Sequence, residues 1–276
     1  MQKKFVNKEK DHGNCATCGE RLYGKHCHVC GEKKVSREDF TVKKFVEQAI
    51  DVVTHFDSKI WRSVYLLFRK PGFLVSEHLE GRRIKYAKPI QLFFVINIIY
   101  FLVLNKIGFD EITNPLSDHM NNIFYGKIAT SMVNGKIAER NIPFSRYDDD
   151  FYNETYAESK LLIILMIPVL ALWFNLIFIK YNKLYYEHLI FSTYFFCFIL
   201  LFYTFFINTF EYVFNPAVAE IIIIIVSAVY LYFSISHVYK FSPSKIILNT
   251  ILSVIGLIII VSLFRFIIFL TVFYTS

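Results

Sequence analysis

The chain has 276 residues, 55% of them hydrophobic and 18% aromatic, with 30 Phe and 18 Tyr and a net charge of +7. Its mean hydropathy is +0.41, and long uncharged runs at that level exclude a purely soluble domain and point to the membrane. The charge is uneven. Residues 1–88 hold 19 Lys and Arg against 11 Asp and Glu, and the remainder holds 11 against 12. A basic segment can suit nucleic acid, but basic charge beside the first apolar run suits anionic lipid better. Nucleic acid is the disfavoured partner.

Residues 1–14 read as a polar, disordered tail. They lack the apolar core of a secretory signal, so the first membrane span is expected to direct insertion. The next stretch organises the rest: Cys15-Ala16-Thr17-Cys18-Gly19, then Cys27-His28-Val29-Cys30-Gly31. Two C-x2-C loops can face each other and place four sulfurs about one ion, the S4 shell of a structural zinc site. Gly19 and Gly31 suit the tight turns that aim backbone N–H groups at thiolates. Arg21, Lys25, Lys33 and Lys34 relieve the thiolate charge. His12, His26 and His28 are left as neighbours, because Cys15, Cys18, Cys27 and Cys30 already complete the shell. One structural Zn²⁺ is expected, in a ribbon over residues 15–34 that needs the metal to fold. Two disulfides would demand an oxidising compartment. Cys197 lies in an apolar run and reads as packing.

Residues 36–88 read as amphipathic, interfacial helices. Ser36 is a candidate N-cap. Apolar positions from Phe40 to Val64 recur at helical spacing, opposite Lys43, Lys44, Glu47, Gln48 and Asp51. The pattern suits one helix, or two broken near Asp57-Ser58. It can lie in the bilayer interface or pack on the ribbon or another soluble partner. Lys70-Pro71-Gly72 ends it, and a short helix, 73–80, stops at Gly81. Glu77 and His78 are expected on a solvated face. Arg82, Arg83, Lys85, Tyr86 and Lys88 then precede the first span. Positive-inside anchoring explains them, and a phosphate or lipid-headgroup site is the sharper reading.

The membrane domain, 89–276, is expected to cross the bilayer five times, at about 90–107, 161–180, 189–210, 220–238 and 246–270. Between the first two spans lies a loop, 105–159, with five Lys and Arg against nine Asp and Glu, expected to form a small outer helical cap. Basic residues gather in 1–88 and in the turns 180–187 and 240–245. That pattern puts the N-terminus and the ribbon in the cytosol and the C-terminus outside. Arg265 is a charge within the fifth span, a functional candidate by default. It is expected to pair with Glu220 or Glu211, above all with Glu220. The fold class is therefore an all-α membrane protein, about five transmembrane helices preceded by interfacial helices and a small zinc ribbon.

The residues Cys-x2-Cys-Gly … Cys-x2-Cys-Gly-Glu-Lys, followed by Pro71-Gly72 … Gly81-Arg82-Arg83-x2-Tyr86-x2-Pro89, resemble the bacterial membrane proteins of domain of unknown function 3667. The resemblance covers about residues 15–104. It implies a bacterial cytoplasmic-membrane protein with a cytosolic zinc ribbon, and it implies no activity. No H-E-x-x-H, phosphate-binding Gly loop or G-x-S-x-G is present, so no catalytic residue is expected and the protein is read as a non-enzyme. The expected role is a membrane-anchored adaptor or sensing module, in contact with the bilayer and its anionic headgroups and with a cytosolic protein partner. A homo-oligomer stays open. A small-solute or lipid transporter is the alternative, and a lipid-modifying enzyme using the basic patch is less favoured.

Overall fold

A computed structural model of the chain describes residues 13–36, 39–50, 58–107, 116–181, 183–210 and 216–275. Outside the ribbon the described residues form helices and short connections, and the ribbon's extended pairings are the bridges Asn14–Arg21 and His26–Lys33. The helices are α1 (Val42–Ile50), α2 (Ser58–Arg69), α3 (Phe73–Leu79), α4 (Pro89–Ile107), α5 (Leu116–Met120) and α6 (Gly126–Arg140). They continue as α7 (Phe144–Leu162), α8 (Met166–Ile177), α9 (Tyr185–Phe210), α10 (Pro216–Tyr239) and α11 (Pro243–Thr275). The all-α membrane class is as expected.

Helix α9 is the centre. Of its apolar window 83% is buried, against 28% for α10 and 33% for α11, so the last two turn most of their surface outward, as lipid-facing helices do. Ring contacts set the directions. Phe93 meets Phe196 and Tyr100 meets Tyr203, so α4 and α9 run parallel. His188 meets Tyr239 and Phe198 stacks on Tyr230 at 3.7 Å, so α10 runs back against α9. Lipid tails are as apolar as Leu, so helix association here rests on such packing and on small residues. Gly256 is one: a Cβ there would lie 1.9 Å from Trp173 Nε1. The bare backbone lets the Trp173 indole donate to the Leu252 carbonyl at 3.1 Å, which fixes α8 on α11.

Three helices are long and apolar enough to cross a membrane: Tyr185–Phe206, Val218–Tyr239 and Pro243–Thr275. The other two expected spans correspond to shorter apolar helices, Pro89–Val103 and Ile163–Ile177. A 33-residue α11 is about 50 Å long at 1.5 Å per residue, well beyond a bilayer core of about 30 Å. Its surplus extends into a cap of α5, α6 and α7, where Tyr125 lies against Phe266 and His119 against Phe269. Lys136 closes this end by donating to the Phe273 carbonyl, with its Nζ 4.5 Å from the Phe273 ring. That places a cation at a helix C-terminus, where the exposed carbonyls favour it. The described residues of the loop expected as a small cap are largely helical, in α5, α6 and most of α7.

The helical start differs from expectation. Ser36 opens a short turn rather than the long helix, its carbonyl accepting from Asp39 N–H at 3.0 Å. Its N–H and Oγ both donate to Asp39, which also takes Lys33 at 2.6 Å, and α1 opens at Val42. A carboxylate three residues on that accepts from the serine N–H makes the reciprocal contact of a capping box, and its charge strengthens the bond. Among the described residues the amphipathic region holds α1 and α2, and residues 51–57, including His55 and Asp57, lie outside the described residues.

Candidate metal centre and its seat on the membrane domain

The two cysteine loops fold alike. Cys15 N–H donates to the Glu20 carbonyl and Gly19 N–H to that of Cys15; Cys27 N–H donates to Glu32 and Gly31 N–H to Cys27. Each loop turns back through a glycine with positive φ, 79° at Gly19 and 77° at Gly31, a conformation that glycine adopts without steric cost. The repetition brings four sulfurs together. Cys15 Sγ lies 3.5 Å from Cys30 Sγ, Cys18 Sγ lies 3.5 Å from Cys27 Sγ, and all four fall within 4.8 Å of one another.

These separations are too long for a disulfide bond of about 2.05 Å, and all five cysteines are free. A metal bound by four thiolates at about 2.3 Å has sulfur–sulfur edges of about 3.8 Å. The cluster therefore suits a tetrahedral ion with little movement. Backbone N–H groups of Cys30 and Val29, overriding burial, draw Cys27 down to about 6. Cys30 is pushed up to about 12: the Glu32 N–H is outweighed by burial and by the other three sulfurs. Four thiols this close do not all ionise without a cation between them. The ribbon's own apolar core is Cys15, Leu22 and Cys27, with Cys30 packed beside them, so the cysteines are nearly the whole interior. His26 and His28 are exposed, and His28 lies against Tyr23 at 5.6 Å.

The ribbon is seated by a residue that sequence reasoning passed over. Glu32 is buried, and its Oε2 accepts from Thr17 Oγ1 at 2.7 Å, Arg83 N–H at 2.9 Å and Ile84 N–H at 2.8 Å. One carboxylate oxygen thus ties the metal loops to the segment before α4. Two glycines allow the approach. Gly31 sits against Ile84, and a Cβ on Gly81 (φ 85°) would lie 2.6 Å from Val35 Cγ2. The Gly-Glu after the fourth cysteine was the available signal, but nothing local says what that Glu meets.

Of the basic segment, Arg82 is held by Glu77 through Nε at 2.8 Å and by Glu80 at 2.6 Å. Arg83 donates from Nε to the His78 carbonyl at 2.9 Å and lies over the Phe40 ring. Lys85 and Lys88 are exposed. Tyr86 packs on Phe73, and burial together with Glu77 holds its phenol above the usual range. Glu77 and His78 correct an expectation. Both are buried rather than solvated, and His78 Nε2 is hydrogen-bonded to Tyr186 Oη at 3.0 Å. Burial, with Arg83 nearby, keeps the His78 ring well below its usual pKa. A seven-residue helix packed among α2, α9 and α10 has no free face, which sequence periodicity does not reveal.

Residues 57–101 match the family described as "Protein of unknown function (DUF3667)". This stretch holds α2, α3, the Arg82–Lys88 segment and most of α4. The four cysteines lie outside it, so the match is narrower than the resemblance drawn from the motifs. No curated protein and no solved structure matches the chain.

At the bundle's other end, Arg265 and Glu220 line one cavity of about 510 Å³, together with Asp118. Glu211 lies outside the described residues.

Proposed function

We propose that the protein is a membrane-anchored interaction module of the bacterial inner membrane. Its ribbon holds one structural Zn²⁺ on the cytosolic side and docks a cytosolic protein with an acidic surface. The role is non-enzymatic. Charge distribution supports the orientation, with the basic loops inside. A closed S4 shell leaves no position for a substrate, which favours a structural ion.

The observation that carries this reading is the seat of the ribbon. Glu32 ties the ribbon to the segment before α4, while Tyr23 and Val29 stay 67% and 63% exposed, with the exposed Arg21 and Lys25 near them in the chain. A metal site that served folding alone has no need of a fixed orientation with exposed aromatic and aliphatic tips. Interface anchors are typically such side chains within a charged rim. The transport alternative is less well supported. The cavity's lining on α9, α10 and α11 spans residues 196–203, 220–227 and 254–265 and does not include the ribbon-side ends of these helices.

The test is a crosslinked pull-down from native membranes. Wild type is compared with Tyr23→Ala/Val29→Ser, which spares the metal site, and with Cys15→Ser/Cys18→Ser. A cytosolic partner lost in both variants, with zinc retained in the first, is the expected result. An identical set of partners in wild type and Tyr23→Ala/Val29→Ser would reduce the ribbon to a folding staple.

A further inference from the structure

The cavity at the end of the bundle away from the ribbon has two chemically distinct parts. Its floor is Phe196, Leu200, Ile223 and Leu257, contributed by three different helices. The mouth carries both signs of charge: Arg265 from α11, Glu220 from α10 and Asp118 from α5, with the Asn121 and Asn122 amides alongside. The gap exists because α10 packs chiefly on α11 and only slightly on α9. Ile123 and Phe124 stand at the rim, 94% and 66% exposed. Two large apolar side chains projecting beside polar amides are placed as interfacial anchors are, at the level of lipid headgroups.

We propose that this cavity binds one phospholipid with a zwitterionic headgroup, its phosphate on Arg265, its ammonium on Glu220 and Asp118, and one acyl chain on the apolar floor. Three arguments select that occupant. About 510 Å³ lies within the range of about 300–1,000 Å³ of small-molecule sites, enough for a chain and part of a headgroup. An apolar floor behind a charged mouth suits an amphiphile and not a hydrophilic solute. The paired signs at the mouth match a phosphate and an ammonium on one molecule, and two carboxylates oppose a purely anionic head. The leaflet is the one remote from the ribbon, whichever way the protein is inserted. The site is separate from the metal centre, so its failure leaves the docking proposal intact.

The experiment reconstitutes the full chain in vesicles containing phosphatidylethanolamine or phosphatidylglycerol with a photoactivatable group at the end of one acyl chain. Labelled peptides are then mapped. The ethanolamine probe is expected to label the 196–200 and 254–258 stretches, and the glycerol probe to label them about tenfold less, the size of one charge-assisted contact. Leu257→Trp, which fills the floor, is expected to abolish that labelling. Because Leu257→Trp can also disturb packing, Glu220→Gln, at an exposed position, is the second variant. It is expected to narrow the preference for ethanolamine over glycerol while total labelling persists. Equal labelling by both probes, labelling unchanged by Leu257→Trp, or a preference unmoved by Glu220→Gln would each overturn the proposal, leaving only unselective annular lipid.

Discussion

Glu32 shows how much one side chain can decide. Its oxygen takes three donors, two of them backbone N–H groups. Glu32→Ala leaves those groups unpaired, at a cost of about 1.5–3 kcal/mol for a charged acceptor. Amide exchange at Arg83 and Ile84 should quicken about ten- to a hundredfold, while metal binding by the four cysteines stays unchanged. His119 makes a pH prediction. Burial, with Arg265 near, holds it down to about 4. Its ring hydrogen-bonds to Tyr125 Oη at 2.9 Å through Nδ1. The folded value lies below the unfolded one of about 6.5. The neutral ring's contribution is therefore complete above about pH 6.5 and is lost as pH falls from there toward 4. Unfolding followed against pH should show this loss, and His119→Phe should flatten the slope in that window. Asp39, held at about 2 by Lys33 and Ser36 against its burial, acts in a separate window, with its contribution lost between about pH 4 and 2.

Among the elements, the ribbon and α2 behave differently. The ribbon has almost no interior but its ligands, so a chelator should unfold residues 13–36 and leave the helices intact. The expected readout is fast alkylation of Cys15, Cys18, Cys27 and Cys30, slow alkylation of the buried Cys197, and unchanged helical circular dichroism. Helix α2 buries Ile60, Ser63 and Leu67 against the bundle, where Ser63 Oγ accepts from Ala87 N–H at 2.9 Å. Trp61, Tyr65 and Phe68 share the opposite, exposed face, beside Arg62 and Arg69. Phe68 lies against Phe198 and Phe205 of α9, so this face meets the bundle at its end. The helix carries no acidic residue. Aromatic and basic stripes side by side suit the headgroup boundary. The chain has two Trp, so Trp173→Phe leaves Trp61 as sole reporter. Lipids brominated near the headgroup should quench it more strongly than lipids brominated at the chain end. The reverse order, or no quenching, would take α2 out of the interface.

For the molecule as a whole, stability rests on close approaches that span the sequence. At Gly72 (φ 79°) a Cβ would meet the Ser234 carbonyl oxygen at 2.9 Å and the His237 Cβ at 3.2 Å. Gly72→Ala would strain the backbone and push α3 from α10, for a loss of about 1–3 kcal/mol. Thermal unfolding in detergent should show it, and Gly135→Ala, in open space within α6, should be neutral or slightly stabilising.

The cysteine cluster, the membrane class and most of the apolar helices were legible in the sequence, because each follows from residues near one another along the chain. C-x2-C spacing fixes which sulfurs share an ion, and apolar runs fix which helices meet lipid. Tertiary structure alone decided the rest. Glu32 and Arg83 are 51 residues apart, and His78 and Tyr186 are 108 apart. The cavity's floor and mouth come from α5, α9, α10 and α11. Glu77 and His78 read as solvated by local pattern and are buried by helices that arrive from elsewhere. Spacing along a chain encodes which groups can act together locally. Which distant groups satisfy a buried carboxylate, or leave a gap between two helices, is settled only when the helices pack.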